Sequence, residues 1–158
     1  LEEICSIIKK LATRYTQYQW VFPVHLNPKV QEPVNRNLDG ISNISLIPPT
    51  DYLTLIAMLE RSVLVISDSG GIQEEAPSFG IPVVVMRNHT ERQEGVDAGF
   101  SILAGQSADS IEQAVIKFLE NDTLLKKITV TRNPYGDGHA SRRIVSALQN
   151  EFAEDFCG

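Results

Sequence analysis

The sequence predicts one α/β domain in which helices cover both faces of a parallel sheet. Segments rich in apolar and β-branched residues begin near positions 19, 43, 62 and 82, about every 20 residues, and apolar residues at helical spacing fill the intervals. The runs 63–66 and 83–86 are apolar at every position, which is typical of strands buried on both faces. Repeated strand–helix units of this kind indicate a Rossmann-like fold.

The first half of the chain opens with a helix, because Ile4, Ile7, Ile8 and Leu11 recur at helical spacing. Aromatic and β-branched residues then mark two strands, and each strand is followed by a helical pattern. The elements predicted here are helix 1–14, strand 19–24, helix 28–38, strand 43–47 and helix 51–60.

Cap and breaker residues set the limits of the predicted helices. Asn27 followed by Pro28 is a favourable helix start, and Pro33 inside the same segment is expected to kink it. Thr50 is predicted to cap the third helix, and Gly80 is predicted to end the fourth.

The second half of the chain continues the alternation and then turns to helices alone. Three of its last eight residues are acidic and none is basic. The domain is therefore expected to cover residues 1–150, followed by a frayed acidic tail at 151–158. The elements predicted in this half are strand 63–67, helix 70–79, strand 82–86, polar loop 87–94, strand 100–103, and helices 107–120, 122–131 and 139–152.

Composition and charge exclude several classes of protein. The 158 residues are 42% hydrophobic and 22% charged, which is typical of a globular domain with a sizeable core. Twenty acidic and 14 basic residues give a net charge of −6, whereas a duplex-binding protein needs a basic face, so nucleic acid is not an expected partner. No apolar run approaches a membrane span and no signal peptide opens the chain, so no membrane partner is expected.

Cysteine and histidine positions give further limits. Cys5 and Cys157 lie near opposite ends without a CxxC pattern, which favours free thiols in a reducing cytoplasm. The three histidines lack metal-ligand spacing, so no zinc site is expected, and neither a GxGxxG nor a Walker pattern is present. Because the chain starts at Leu1 inside a predicted helix and without methionine, we expect it to be a piece of a larger protein.

The most informative candidate site follows the third predicted strand. Ligands of open parallel sheets bind beyond the carboxyl ends of the strands, and there the chain runs through Ser69-Gly70-Gly71 directly into a helix. Glycines allow a ligand to approach the backbone closely, Ser69 adds a hydroxyl, and the free N–H groups of a helix start suit a diphosphate. A glycine-rich turn that binds nothing explains these residues equally well.

Polar side chains nearby extend this candidate site. Glu75, one turn into the helix, can accept hydrogen bonds from ribose hydroxyls, although Glu74 and Glu75 can equally serve only to complement the helix dipole. Arg92 in the polar loop is a candidate partner for an anion. His25 follows the first strand, where a lone histidine more often has a structural role.

Five short motifs occur in order along the chain. Each is weak alone, but together they are highly specific. From Leu1 to about Asn150 the chain that carries them resembles the carboxyl-terminal domain of the bacterial non-hydrolysing UDP-N-acetylglucosamine 2-epimerases. The motifs are Pro23-Val24-His25-Leu26-Asn27-Pro28, Glu32-Pro33-Val34, Ser67-Asp68-Ser69-Gly70-Gly71-Ile72-Gln73-Glu74-Glu75-Ala76-Pro77, Thr90-Glu91-Arg92 with Glu94, and Asn133-Pro134-Tyr135-Gly136-Asp137-Gly138.

The resemblance implies the carboxyl-terminal half of a glycosyltransferase-B-type fold, in which two Rossmann-like domains hold a nucleotide sugar between them. It implies an isomerase that interconverts UDP-N-acetylglucosamine and UDP-N-acetylmannosamine in the cytoplasm and so supplies cell surface polysaccharides. The family's reaction resembles an elimination of UDP across C1–C2 followed by re-addition, and no redox cofactor takes part. Full-length members are commonly homodimers.

Carried over residue by residue, the resemblance implies a UDP site. The segment Ser69-Gly70-Gly71 matches the family's diphosphate-binding segment, Glu75 matches the glutamate that holds the ribose hydroxyls, and Arg92 matches an arginine of the nucleotide site. Pro49 and the stretch Tyr52–Leu55 fall where the uracil packs, although Leu55 stands where some relatives carry an aromatic residue.

Other matches concern regulation and the partner domain. His25 matches a histidine that contacts a second UDP-N-acetylglucosamine acting as an allosteric activator, and Asp137 and Gly138 match the segment that leads into the helix returning toward the partner domain. The family's catalytic carboxylates lie in the missing amino-terminal domain, so we expect no catalytic residue here and weak UDP binding without epimerisation. A hydrolysing epimerase, a glycosyltransferase domain and a non-catalytic UDP-sugar-binding module remain open alternatives.

Overall fold

Helices and strands alternate along residues 1–151, which are the residues that the structure, a computed structural model, describes. The strands are β1 (Trp20–Pro23), β2 (Ile44–Ile47), β3 (Val65–Ser67), β4 (Val83–Val85) and β5 (Ser101–Leu103). The helices are α1 (Glu2–Arg14), α2 (Pro28–Leu38), α3 (Tyr52–Glu60), α4 (Gly70–Glu75), α5 (Gln93–Asp97), α6 (Ala108–Leu119), α7 (Asp122–Val130) and α8 (Ala140–Leu148).

The predicted helices and strands are all present, and most of their ends lie within one or two residues of the predicted ones. The last helix is shorter than expected, since α8 ends at Leu148. The predicted end of that helix at 152 and the remainder of the acidic tail lie outside the described residues. One helix was not predicted: α5 has five residues, mostly polar and including Gly95, which are too few to show an apolar period.

Polar caps start two of the early helices. Asn27 caps α2 as predicted, its Oδ1 accepting a hydrogen bond from the Lys29 backbone N–H at 3.0 Å. The predicted cap Thr50 is wrong by one position, because Asp51 caps α3 instead, and its Oδ1 accepts from the Thr54 N–H at 2.9 Å. A carboxylate accepts the hydrogen bonds of a helix start more strongly than a threonine hydroxyl does. The hydrogen bonds that Asp51 accepts from Thr54 lower the pKa of Asp51.

The helix predicted at 70–79 is divided in two. Helix α4 ends at Glu75, and a 3-10 turn continues it over Ala76–Phe79. Pro77 explains the change, because it has no N–H to continue the α-helical bonding. Gly80 ends the turn as predicted, with a left-handed φ of 67°, and a Cβ there would lie 2.9 Å from the Thr129 backbone.

The strands pair in parallel, as predicted, but they form two sheets rather than one. Strand β1 pairs with β2, with Trp20 opposite Ile44. Strands β3, β4 and β5 form the second sheet in that order. Within residues 1–151 four strands pair on one side only and have an open edge, namely β1, β2, β3 and β5.

The burial of each strand depends on its place in its sheet. The three valines of β4, the middle strand of its sheet, are completely buried, as the apolar run predicts. The other predicted buried run is only half-buried in β3, and Val63 just before it is 41% exposed. In β1, Val21 is 49% exposed. The expectation of burial on both faces therefore fails for β3, because a strand with an open edge lacks one neighbour.

Helix α1 ties the two sheets together. Its Ile7 and Leu11 pack with Val84 of β4 and with Phe118 of α6, whereas its Ile8 packs in a second cluster that includes residues of α2. Trp20 of β1 packs against both clusters, so one continuous apolar layer lies beneath α1. Cys5 is buried in the second cluster as a free thiol, and burial raises its pKa.

Helix α8 differs from the other long helices. It has no buried residue, and its apolar residues Ile144, Val145 and Leu148 are 52–79% exposed. None of the helices within residues 1–151 has the length and apolar character needed to cross a membrane.

Candidate functional site

The carboxyl ends of β3 and β4 bring two predicted site segments together. Ser67 of β3 is in register with Val85 of β4, and the Met86 N–H donates to the Ser67 carbonyl at 3.0 Å. Because the strands are parallel, the segments that follow them, 68–71 and 86–92, leave the sheet at the same edge. This is the edge at which the sequence predicts ligand binding.

Arg92 lies directly against the start of α4. A Cβ built on Gly70 would be 3.2 Å from Arg92 Cζ and 3.3 Å from Nη2, so the absence of a side chain at Gly70 permits this approach. The guanidinium thus adds a full positive charge beside the first backbone N–H groups of the helix.

Two glutamates hold Arg92 in this position. Its Nε donates to Glu74 Oε1 at 2.7 Å, and its Nη1 lies 2.5 Å from Glu91 Oε1. The hydrogen bond to Glu74 raises the pKa of Arg92, and Glu91 acts in the same direction. The Arg92 side chain is 28% exposed, so it faces the edge while its charge is partly compensated from behind.

A buried polar link joins the Arg92 loop to the segment before α4. Gln73 is fully buried, and its Nε2 donates to the Ser69 carbonyl at 3.2 Å. The Thr90 hydroxyl donates to Gln73 Oε1 at 2.7 Å and accepts from the Arg92 backbone N–H at 3.1 Å. The loop and the helix start are therefore connected by three consecutive hydrogen bonds.

Tyr135 holds the same loop from the other side. Its hydroxyl donates to the Arg92 carbonyl and accepts from the Gly95 N–H, both at 2.9 Å. Burial raises the pKa of Tyr135, so the phenol keeps its proton. The hydroxyl can therefore donate one of these hydrogen bonds while it accepts the other. The Asn133 Oδ1 accepts from the Tyr135 backbone N–H at 2.9 Å and braces this turn.

Glu75 points toward the start of α3. Its carboxylate lies beside the Tyr52 hydroxyl and raises the pKa of Tyr52, which is 60% exposed. Leu55 of the same helix is partly buried and packs against the core cluster that includes Ala76 and Val83. Pro49 is exposed just before this helix. The predicted ribose and uracil residues therefore belong to neighbouring elements.

His25 lies on the other sheet, just beyond the end of β1. Its Nδ1 accepts a hydrogen bond from the Asn27 N–H at 3.1 Å, and its side chain is exposed. Asp137 forms a bidentate pair with Arg143, at 2.7 and 2.6 Å, and this hydrogen bonding holds the pKa of Asp137 far below its usual range. The pair fixes the entry into α8.

A cavity or a cluster of metal-ligating side chains would be a second kind of site in the part of the chain that the structure describes. A cavity of about 300 Å³ between β5 and α6, lined by residues such as Ile102, Phe118 and Leu124, includes none of the predicted site residues. Within residues 1–151 no three potential metal-ligating side chains come together.

The sequence did not identify every residue at this site. The sequence leaves Glu74 with either a dipole role or a ribose role, whereas in the structure it binds Arg92. The sequence also gives no sign that Tyr52 is a neighbour of Glu75. Gln73, Thr90 and Tyr135 were only parts of motifs. In the sequence these residues are recognisable only as polar residues inside apolar or turn segments. Such a position indicates a buried hydrogen bond only when the partner residue is known.

Comparison with known proteins gives the family. The sequence model of the UDP-N-acetylglucosamine 2-epimerase family matches residues 1–149. The UDP-N-acetylglucosamine 2-epimerase of Yersinia pestis is 50% identical over 149 residues, which make up 94% of this chain and 40% of that protein. The chain therefore spans about 40% of the length of the curated relatives it matches.

Solved structures agree with this result. The UDP-GlcNAc 2-epimerase of Neisseria meningitidis, bound to UDP-GlcNAc, has a TM-score of 0.86 and 40% identity, covering 95% of this chain and 40% of that one. A co-structure of S. aureus MnaA with UDP has a TM-score of 0.89 and 39% identity, covering 99% and 43%. The likeness confirms the Rossmann-like α/β fold, which in these epimerases is part of a glycosyltransferase-B fold. The chain belongs to the UDP-N-acetylglucosamine 2-epimerase family.

Proposed function

We propose that this chain is the UDP-binding part of an isomerase that interconverts UDP-N-acetylglucosamine and UDP-N-acetylmannosamine. The observation that carries the proposal is the contact of Arg92 with Gly70 at the start of α4. A guanidinium beside the backbone N–H groups of a helix start forms a site for a diphosphate. A solved relative bound to UDP and another bound to UDP-GlcNAc support the same ligand class.

Different site residues contact different parts of the nucleotide. Ser69, Gly70 and Gly71 bind the diphosphate together with Arg92, and Glu75 accepts hydrogen bonds from the ribose hydroxyls. Pro49 and Leu55, beside the exposed ring of Tyr52, form the apolar surface for the uracil. His25 contacts a second UDP-N-acetylglucosamine, which acts as an activator.

These residues do not move the C2 proton. Epimerisation by elimination requires carboxylates at C1–C2 of the sugar and donors that stabilise the departing diphosphate. In the proposed enzyme, Arg92 and the start of α4 stabilise the UDP that leaves and returns, and the acid and base groups come from an amino-terminal domain. The reaction requires no redox cofactor.

We propose that the chain is a carboxyl-terminal domain that lacks its amino end. The open edges of β1 and β3 support this, and so does the buried Trp20 Nε1, which has no hydrogen-bond partner within residues 1–151. The exposed apolar face of α8 is the surface expected for a helix that returns to a partner domain. The complete enzyme is proposed to be a cytoplasmic homodimer that supplies cell surface polysaccharides.

Calorimetric titration of the chain with UDP, UMP and uridine tests the binding role. We expect affinity to fall in that order, because each phosphate removed loses contact with Arg92 and α4. Equal affinity for UDP and uridine would refute a diphosphate site at this edge.

Product analysis tests the reaction. The chain alone should leave UDP-N-acetylglucosamine unchanged, whereas a protein with the full length of the relatives should form UDP-N-acetylmannosamine, detected by NMR. Free N-acetylmannosamine as the product would indicate a hydrolysing epimerase instead. Transfer to a sugar acceptor would indicate a glycosyltransferase, and binding without any reaction would indicate a non-catalytic module.

A further inference from the structure

We propose that Gln73, Thr90 and Tyr135 are positioning residues that hold Arg92 over Gly70 and thereby set the affinity for the diphosphate. These three side chains, here called the Arg92 clasp, need not touch the nucleotide. The inference rests on the proposed function, since it concerns how the same site is kept in its binding geometry.

The clasp holds the Arg92 backbone at both of its polar groups. The Arg92 N–H donates to the Thr90 hydroxyl at 3.1 Å, and the Arg92 carbonyl accepts from the Tyr135 hydroxyl at 2.9 Å. The two side chains come from segments that are far apart in the sequence, since Tyr135 follows Arg92 by 43 residues. The backbone of Arg92 is therefore fixed, and only its side chain remains to be oriented.

The direction of each hydrogen bond follows from Gln73. Because the Ser69 carbonyl can only accept, it must receive the Gln73 Nε2 donor, which leaves Oε1 facing Thr90. The single hydroxyl proton of Thr90 is then committed to Gln73, and its oxygen is left to accept from the Arg92 N–H. Each polar group in this chain of bonds has a partner, so the arrangement is well defined.

The clasp is needed because the ion pairs of Arg92 are exposed and are too weak to fix it alone. Glu74 and Glu91 both bind its guanidinium, and both carboxylates are substantially exposed, at 45% and 63%. Long side chains on the surface hold an ion pair only weakly in one geometry. Because these ion pairs alone do not fix the guanidinium over Gly70, its distance from a bound diphosphate depends on the clasp.

A matched pair of substitutions separates positioning from general stability. Thr90→Val keeps the shape but removes the hydroxyl, whereas Thr90→Ser keeps the hydroxyl. We expect Thr90→Val to weaken UDP binding about tenfold, the equivalent of one lost hydrogen-bond link, and Thr90→Ser to restore it to within about twofold. Uridine, which has no phosphate, should bind the parent and both variants equally in NMR shift titrations.

A double-mutant comparison tests whether the clasp acts through Arg92. In an Arg92→Ala background, Thr90→Val should cause no further loss of UDP affinity, because the group it positions is gone. Tyr135→Phe, which removes the opposite hydroxyl, should behave like Thr90→Val in both backgrounds, and it serves if Thr90→Val fails to fold. Equal losses in both backgrounds, or equal losses for UDP and uridine, would overturn the proposal.

A readout without nucleotide keeps this inference distinct from the proposed function. The Arg92 Nε–H signal in a ¹⁵N–¹H spectrum should shift in Thr90→Val but not in Thr90→Ser. If the parent chain fails to bind UDP, the proposed function fails, and a shifted Arg92 signal would still support the clasp. An Arg92 signal that is unchanged in Thr90→Val would overturn the clasp whether or not UDP binds.

Discussion

The backbone of Gly95 passes so close to Tyr135 that a Cβ at residue 95 would lie 2.4 Å from the phenol oxygen. No real Cβ tolerates such a contact, so Gly95→Ala must displace a partly buried ring. The displaced Tyr135 would also lose its hydrogen bonds to the Gly95 N–H and the Arg92 carbonyl. We expect Gly95→Ala to lower the free energy of unfolding by about 1–3 kcal/mol, measured by urea denaturation.

Gly71→Ala is the matched control for this stability measurement. A Cβ at Gly71 would meet only Ser69 Oγ, at an ordinary distance of 3.8 Å, and alanine favours a helix more than glycine does. Its free energy of unfolding should equal or exceed that of the parent. Equal stability of Gly95→Ala and Gly71→Ala would contradict the packing of Tyr135 on Gly95.

The position of the diphosphate segment could be predicted from sequence because all of its information is local. Strand, Ser69-Gly70-Gly71 and helix follow one another without interruption, and a parallel sheet dictates the edge at which they emerge. The pairing of Arg92 with Glu74 could not be predicted, because the two residues are 18 positions apart and several other carboxylates lie nearby. Only the register of β3 and β4 selects Glu74.

The division into two sheets could not be predicted for a different reason. The apolar run at 63–66 is the same whether its strand has one neighbour or two, since side-chain pattern reports on faces and not on edges. Val84 of β4 and Ile66 of β3 have similar side chains, yet only Val84 is fully buried. The difference depends on whether a neighbouring strand is present.

Glu75→Gln should weaken UDP binding by about 1–3 kcal/mol, because a charged hydrogen bond to the ribose becomes a neutral one. The parent should prefer UDP over 2′-deoxy-UDP, and Glu75→Gln should lose most of that preference in calorimetric titrations. Glu60→Gln, at the end of α3, is the matched control and should bind as the parent does. Superimposable titration curves for Glu75→Gln and the parent would refute the ribose assignment.

The same substitution has a second consequence that needs no nucleotide. Because the negative charge of Glu75 raises the pKa of Tyr52, its removal should lower the pKa of Tyr52 toward the ordinary tyrosine value. NMR titration of the Tyr52 ring signals measures this directly. A Tyr52 pKa that does not change would show that the two side chains are not neighbours.

The pair of Asp137 and Arg143 should make stability depend on acid pH. Hydrogen bonding to Arg143 lowers the pKa of Asp137 in the folded chain, so the pair stabilises fully above the unfolded pKa of about 4 and loses this effect as pH falls through the folded value. Asp137→Asn should therefore be less stable than the parent at pH 7 in urea denaturation. The difference should shrink progressively below about pH 4.

Glu60→Gln again provides the comparison, since it removes a carboxylate that is not part of this pair. Its difference from the parent should be small at pH 7 and should show no such decrease below pH 4. A deficit of Asp137→Asn that stays constant from pH 7 to pH 3 would mean that the pair with Arg143 does not stabilise the chain.

The open edges of β1 and β3 make a prediction about amide hydrogen exchange. Amides of a strand point alternately to its two sides, and the Trp20 and Val65 N–H groups bond to the neighbouring strands. The Val21 and Ile66 amides therefore point to the open edges and should exchange rapidly in this chain, whereas those of Trp20 and Val65 should be protected.

In a protein with the full length of the relatives, a strand inserted between β1 and β3 should protect Val21 and Ile66 as well. Rapid exchange at both amides in the longer protein would contradict the proposal that the chain is truncated at its amino end, because the two edges would then be open in the complete fold.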